Sequence, residues 1–254
     1  MNSGEKEFSK MKKATIALLL ICTAAFAQQK GSFTDTRDKK TYKTVKIGEQ
    51  TWMAENLNYD AKGSKCYGEG GEVYIGYDGE NDIPITKTLS PAEMEANCKK
   101  YGRLYNWATA MNIDAKFNEE KWDGSDVKHS GICPSGWHLP NDKEWQTLVD
   151  FAGGNSIAGK KLKAKSGWNK TPDNKNSNGT DNYGFSALPG GTGNSDGSFN
   201  FAAGNYGYWY SASENDIYMS YTYEDEDYGP DDVYGLNDGP SNKSDLYSVR
   251  CVKD

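Results

Sequence analysis

The chain has 254 residues, 36% of them hydrophobic and 26% charged, with a net charge of −7. This balance excludes a multi-pass membrane protein, a collagen and a coiled coil, and the acidic excess argues against nucleic acid, which usually selects a basic surface. Aromatic residues reach 13%, including 17 Tyr and 7 Trp, so the chain has the side chains to build a core.

The first segment reads as a leader. Lys12 and Lys13 precede the apolar run from Ala14 to Cys22, and Ala25-Phe26-Ala27 places small residues on either side of a bulky one before Gln28. That order is the layout of a secretory signal peptide over residues 1–27, with Met11 at the usual starting position. The apolar run is shorter than the ~20 residues that cross a bilayer, so no transmembrane segment is expected in the mature chain. A lipid anchor on Cys22 is disfavoured by Ile21, where a small residue is required. The mature chain, residues 28–254, then carries 25 basic and 34 acidic residues. It is expected outside the cytoplasm, in the extracellular space, at the cell surface or in the periplasm.

Export gives the cysteines a meaning. Cys66, Cys98, Cys133 and Cys251 form an even set, which in an oxidising compartment reads as two disulfides with three possible connectivities. The expected pairs are Cys66–Cys98, closing a local insertion, and Cys133–Cys251, tying the start of the main domain to its last strand. A thiol nucleophile on Cys133 with His129 or His138 is disfavoured, because neither histidine has an identifiable orienting group.

Residues 33–58 alternate in a β manner through Tyr42, Val45, Ile47, Trp52 and Met53. Turns are predicted at Asp38-Lys39-Lys40 and near Gly48-Glu49. Residues 60–88 are rich in Gly and Asp and read as an excursion held by Cys66 and Cys98. Ser90-Pro91-Ala92-Glu93 is a helix start, with Ser90 as cap, Pro91 in the first turn and Glu93 closing a capping box. That helix is predicted to run to about Lys100. After the break at Gly102, the stretch from Arg103 to Asn112, with Leu104, Trp107 and Met111, reads as a second helical segment. The segment Cys133–Pro140 predicts a turn and a short strand. Asn141 then caps a helix with Glu144 in its first turn, whose apolar stripe is Trp145, Leu148, Val149 and Ala152 and whose end is Gly153-Gly154. Lys160 to Lys165 predicts one or two helical turns with its lysines in solvent. Residues 169–182 are polar and predict a loop. Short strands are expected within Tyr183–Gly191, Gly207–Ser213 and Leu246–Val252.

These blocks carry a resemblance. The stretch from Gly31 to Tyr59, with Trp52-Met53-Ala54-Glu55-Asn56-Leu57-Asn58-Tyr59 at its end, resembles the Fibrobacter succinogenes major paralogous domain family. So do Gly102-Arg103-Leu104-Tyr105-Asn106-Trp107, the segment Cys133–Pro140, the segment Gly184–Gly191 and the ending Ser248-Val249-Arg250-Cys251. Lys39 departs from the family's turn, which often has Gly there. The resemblance implies an exported bacterial protein and a single domain over 28–254, divided into a hairpin-and-helix part (28–130) and a second part (131–254). Leu139-Pro140 with Glu144-Trp145, and Ser248–Val252, are similar to formylglycine-generating enzymes. That likeness implies an α+β, C-type-lectin-like fold with two or three helices, short mixed or antiparallel strands and long loops. The oxidase chemistry does not transfer, since it needs a cysteine pair near the end of the domain and Cys251 stands alone there.

Nine of the 17 Tyr lie between Tyr206 and Tyr247, the best candidate for a binding surface. Tyrosine offers a rigid amphipathic face with little side-chain entropy to lose, and such faces stack on sugar rings. Tyr208, Trp209, Tyr210, Tyr218, Tyr221, Tyr223, Tyr228 and Tyr234 are the expected ligand-binding residues, for carbohydrate or a cell-surface protein. Glu224, Asp225, Glu226, Asp227, Asp231 and Asp232 offer hard oxygen ligands of the kind calcium takes, while two histidines without metal-ligand spacing disfavour zinc. Their spacing fits no fixed loop, and no metal site and no catalytic residue are assigned. The expected function is a non-catalytic binding or interaction module. The alternatives are a secreted enzyme, polysaccharide-active or oxidase-related, and a structural envelope protein.

Overall fold

A computed structural model describes residues 29–77, 84–200, 202–220, 231–233, 235 and 241–254. The chain opens with a meander of β1 (Lys30–Thr34), β2 (Thr41–Ile47) and β3 (Gln50–Met53), all antiparallel. Alternation places Val45 and Ile47 on one face of β2, in the first part of the core, and Tyr42 on the other, in the second. The first turn closes through the Lys39 amide on the Asp35 carbonyl (2.8 Å) and holds Lys39 at φ 64°, the left-handed conformation that glycine adopts without strain.

The excursion contains a hairpin, β4 (Glu72–Tyr77) and β5 (Pro84–Thr88). Helix α1 (Pro91–Tyr101) begins with the predicted capping box, Ser90 Oγ accepting from the Glu93 amide and Glu93 from the Ser90 amide. Gly102 ends it at φ 80°, where a Cβ atom would lie 2.7 Å from the Leu57 carbonyl oxygen.

The next stretch differs from expectation. Leu104–Tyr105 is a strand, β6, and only Trp107–Met111 is helical, α2, followed by a 3₁₀ turn at Ala115–Asn118. The remaining elements are β7 (Trp137–His138), α3 (Asp142–Ala152), α4 (Asn155–Leu162), β8 (Tyr206–Tyr210), β9 (Asp216–Ser220), β10 (Tyr247–Ser248) and β11 (Val252–Lys253). Tyr183–Gly191 forms no named strand and contributes the single bridges Lys163–Ala187 and Gly191–Gly207. Four α-helices are thus described, against the two or three that the likeness implied, and the last of them spans Asn155–Leu162 where only Lys160 to Lys165 was expected.

The sheets explain the closure. One runs β1-β2-β3-β11-β7, so the last strand inserts between the opening meander and β7. The other runs β6-β10-β8-β9, antiparallel except for the β10–β8 pair. Both expected disulfides are present, Cys66–Cys98 and Cys133–Cys251. The result is an α+β domain.

The core has two main parts. In the first, α3 lays its predicted stripe of Trp145, Leu148, Val149 and Ala152 against Val45, Trp52, Phe185, Trp209 and Ile217. In the second, Met53, Leu57, Tyr105, Trp107, Tyr210 and Val249 surround Cys133 and Cys251. Each fully buried large apolar side chain contributes on the order of 2 kcal/mol relative to exposure. The four tryptophans with 0% exposure, Trp52, Trp107, Trp145 and Trp209, are among the largest of these. No helix among the described residues is long and apolar enough to cross a membrane.

Candidate functional site

The tyrosine tract is built on β8 and β9. In a strand, alternate residues share a face, so Tyr206, Tyr208 and Tyr210 point one way and Gly207 and Trp209 the other. Tyr208 lies directly opposite Tyr218 of β9, and their rings stack at 4.7 Å and 14°. Tyr247 of the parallel neighbour β10 stacks on the same ring at 5.1 Å, and Tyr210 follows at 4.6 Å from Tyr247. Tyr206 sits 6.4 Å from Tyr208. The tyrosines thus form a continuous ladder across three strands.

The ladder is graded. Tyr206, Tyr208 and Tyr218 are half-buried, whereas Tyr210 and Tyr247 are buried. The Tyr210 hydroxyl donates to the Asp245 carbonyl (2.8 Å), and burial pushes its phenol well above the usual value. Trp209 and Tyr210 therefore correct the expectation that they line the surface. Trp209 is enclosed on the opposite face, donating from Nε1 to Asn56 Oδ1 at 2.8 Å, and Tyr210 anchors the inner end of the ladder. Tyr208 and Tyr218 are the predicted residues that the structure brings together at the surface. Tyr221, Tyr223, Tyr228 and Tyr234 lie outside the described residues, as do Glu224, Asp225, Glu226 and Asp227. Of the other acidic candidates, Asp231 pairs with Lys160 (3.3 Å) and Asp232 is buried. Among the described residues no three His, Cys, Asp or Glu side chains gather as metal ligands.

Behind the ladder lies a polar centre that the sequence did not single out. Asn56 Oδ1 accepts from Trp209 Nε1 (2.8 Å), Arg250 Nη2 (2.7 Å) and Arg250 Nε (3.1 Å). Its Nδ2 donates to the Tyr101 carbonyl (2.8 Å) and to Ser248 Oγ (3.2 Å). Arg250 is fully buried, bonds the Phe185 carbonyl and lies over the Phe185 ring at 4.3 Å. Burial pulls its pKa down to about 9. The available signal was an arginine within the closing apolar strand, where a charge needs a built partner.

Lys163 corrects the expectation of solvated lysines. It is fully buried, its Nζ bonds the Ser220 carbonyl, and the Trp168 ring lies 4.2 Å away. Burial lowers its pKa to about 7. Between that value and the unfolded ~10.5 the unfolded chain binds the extra proton, so stability rises with pH by at most ~1.4 kcal/mol per unit. Lys163→Met is expected to flatten this rise, measured as urea midpoints at pH 7 and 9.5. An unchanged slope removes Lys163 as its source.

Cys133 is in a disulfide and so offers no thiol to either histidine. His138 instead clamps the sheet, with Nε2 2.8 Å from Glu144 Oε1 and Nδ1 2.7 Å from Asp254 Oδ1. Burial alone would lower its pKa, but the two carboxylates outweigh it and hold it above 6.5. The clamp's stabilisation is therefore full below the unfolded value near 6.5 and is lost as pH rises through the folded value. His138→Gln is expected to lose stability more at pH 5.5 than at pH 8.5 in denaturant melts. An equal loss at both would show that the clamp is not ionic.

Two grooves open elsewhere. One, of about 780 Å³, runs beside the Cys66–Cys98 bridge. Two of its carboxylates, Asp60 and Glu69, are both engaged by Arg103, at 3.0 and 3.6 Å. The other, of about 620 Å³, lies between β4 and the outer face of α1.

The family model for the Fibrobacter succinogenes major domain matches residues 45–253, from the middle of β2 into β11. No curated protein and no solved structure matches the chain.

Proposed function

The chain belongs to the Fibrobacter succinogenes major domain family, and on that premise we propose that it is an exported, non-catalytic binding module whose tyrosine ladder receives carbohydrate. The observation that carries this reading is the half-buried Tyr208–Tyr218 pair, stacked at 4.7 Å and braced from behind by Tyr247 and Tyr210. Rings fixed by stacking have little freedom left to lose when a ligand settles along the ladder's exposed edges.

Export rests on the leader over residues 1–27, which lies outside the described residues, and is supported by the two disulfides. The C-type-lectin-like reading is supported by the closing strand β11 lying beside the opening meander, with Cys133–Cys251 next to it. The single-domain reading of 28–254 is supported by the central sheet, which joins β1 to β11 across both parts of the chain.

The test is co-sedimentation of the protein with insoluble polysaccharides and with cell-envelope fractions. Tyr208→Ala and Tyr218→Ala together are expected to weaken retention about tenfold or more, the scale of one interface hot spot. Retention that both variants leave intact overturns the reading, as does no retention on any matrix. Retention only on the protein part of the envelope reassigns the ligand to a surface protein. Retention abolished by EDTA and restored by calcium makes the binding calcium-dependent.

A further inference from the structure

The 620 Å³ groove has a chemistry of its own. Its walls are β4 with Tyr74, the outer face of α1 with Asn97, and the chain around Asn169 and Asn205, with Tyr67 also on its wall. Its size falls within the range of small-molecule sites. The three carboxamides are only partly used. Asn169 Nδ2 donates to Asn205 Oδ1 at 2.8 Å, and Asn97 Nδ2 donates to the Tyr67 carbonyl at 3.2 Å. Among the described residues, no hydrogen bond uses Asn169 Oδ1, Asn205 Nδ2 or Asn97 Oδ1. Turning both amides of the Asn169–Asn205 pair over leaves the same offer, one donor and one acceptor.

The groove's charge is already balanced. Glu93 is its one ionised wall residue, and its carboxylate accepts from the Ser90 amide and hydroxyl, both at 2.8 Å, and from Lys87 Nζ at 2.6 Å. An anionic ligand finds no uncommitted cation here. A wholly apolar ligand would strand three amide positions, each costing on the order of 1–3 kcal/mol when buried unpaired. Vicinal hydroxyls each donate and accept, and so match paired carboxamides, while the tyrosines offer apolar surface to the C–H faces of a ring.

We propose that this groove is a second binding site, for a neutral saccharide, separate from the tyrosine ladder. It does not rest on the ladder's function, since it shares no residue with Tyr208 or Tyr218. Ligand entering it would touch both the disulfide-held excursion and α1, because residues of β4 and of α1 line it.

The test is affinity electrophoresis of the full chain, disulfides intact, through gels containing laminarin, xyloglucan, galactomannan or polygalacturonate. At least one of the three neutral polymers is expected to retard the protein, and Asn169→Ala with Asn205→Ala to weaken that retardation about tenfold. Ala96→Trp, which fills the groove from the exposed face of α1 without removing a hydrogen bond, is expected to do the same if the amide variant folds poorly. Retardation by none of the neutral polymers, or by polygalacturonate alone, overturns the proposal. So does retardation that survives both the amide variant and Ala96→Trp. Retardation that persists in Tyr218→Ala but falls in the groove variants belongs to the groove even where the ladder reading fails. The opposite pattern leaves the ladder standing and removes the groove.

Discussion

Asn56→Ala is expected to destabilise the domain by about 4 kcal/mol, read as a fall in melting temperature of about 12 °C. One amide serves four groups from distant parts of the chain: the Tyr101 carbonyl at the end of α1, Ser248 of β10, Trp209 of β8 and Arg250 beside β11. Its loss leaves the Trp209 N–H without its acceptor and deprives a fully buried guanidinium of its side-chain partner. Broken buried polar contacts cost more than the bonds are worth, because the abandoned group stays desolvated. The double variant Asn56→Leu with Arg250→Met should therefore be less damaged than Asn56→Ala, since it removes the charge with its partner. Urea denaturation of both variants checks this. A loss under about 1 kcal/mol for Asn56→Ala, or a double variant worse than the single, would contradict the account.

Removing the Cys133–Cys251 bridge is expected to cost about 5 kcal/mol, more than removing Cys66–Cys98, at about 4 kcal/mol. The two close loops with sequence separations of 118 and 32, and the entropy returned to the unfolded chain grows with loop length. Packing widens the gap. Cys133 and Cys251 sit inside the second core among Met53, Trp137 and Val249, whereas Cys66 and Cys98 join the excursion to one helix. Paired Cys→Ala variants in melts without reductant measure both losses. Equal or reversed effects would contradict both the closure and the packing arguments.

Much of this architecture was legible because its signals are local. Ser90 and Glu93, and Asn141 and Glu144, form capping boxes wherever a helix starts on them, and the α3 stripe needs only its own spacing. The helix expected over Arg103–Asn112 failed because its signal was short. Leu104 and Tyr105 instead pair with Ser248 and Tyr247, residues far along the chain. Lys163 was illegible for the same reason. A lysine reads as solvated until the Ser220 carbonyl and Trp168 are brought over it by tertiary folding. The site was half legible. The sequence located the tyrosines, but Tyr208, Trp209 and Tyr210 cannot share one face of a strand, and alternation sends Trp209 to Asn56. Lys39 carries a smaller lesson: its left-handed turn explains why glycine suits that position.

The most direct test of the binding reading is ring-labelled tyrosine NMR of the folded protein, titrated with solubilised cell-envelope polysaccharide. The account predicts that Tyr208 and Tyr218 shift in step with added ligand, while Tyr105 and Tyr210, both fully buried, do not. Unmoved Tyr208 and Tyr218 signals at saturating polysaccharide would contradict it.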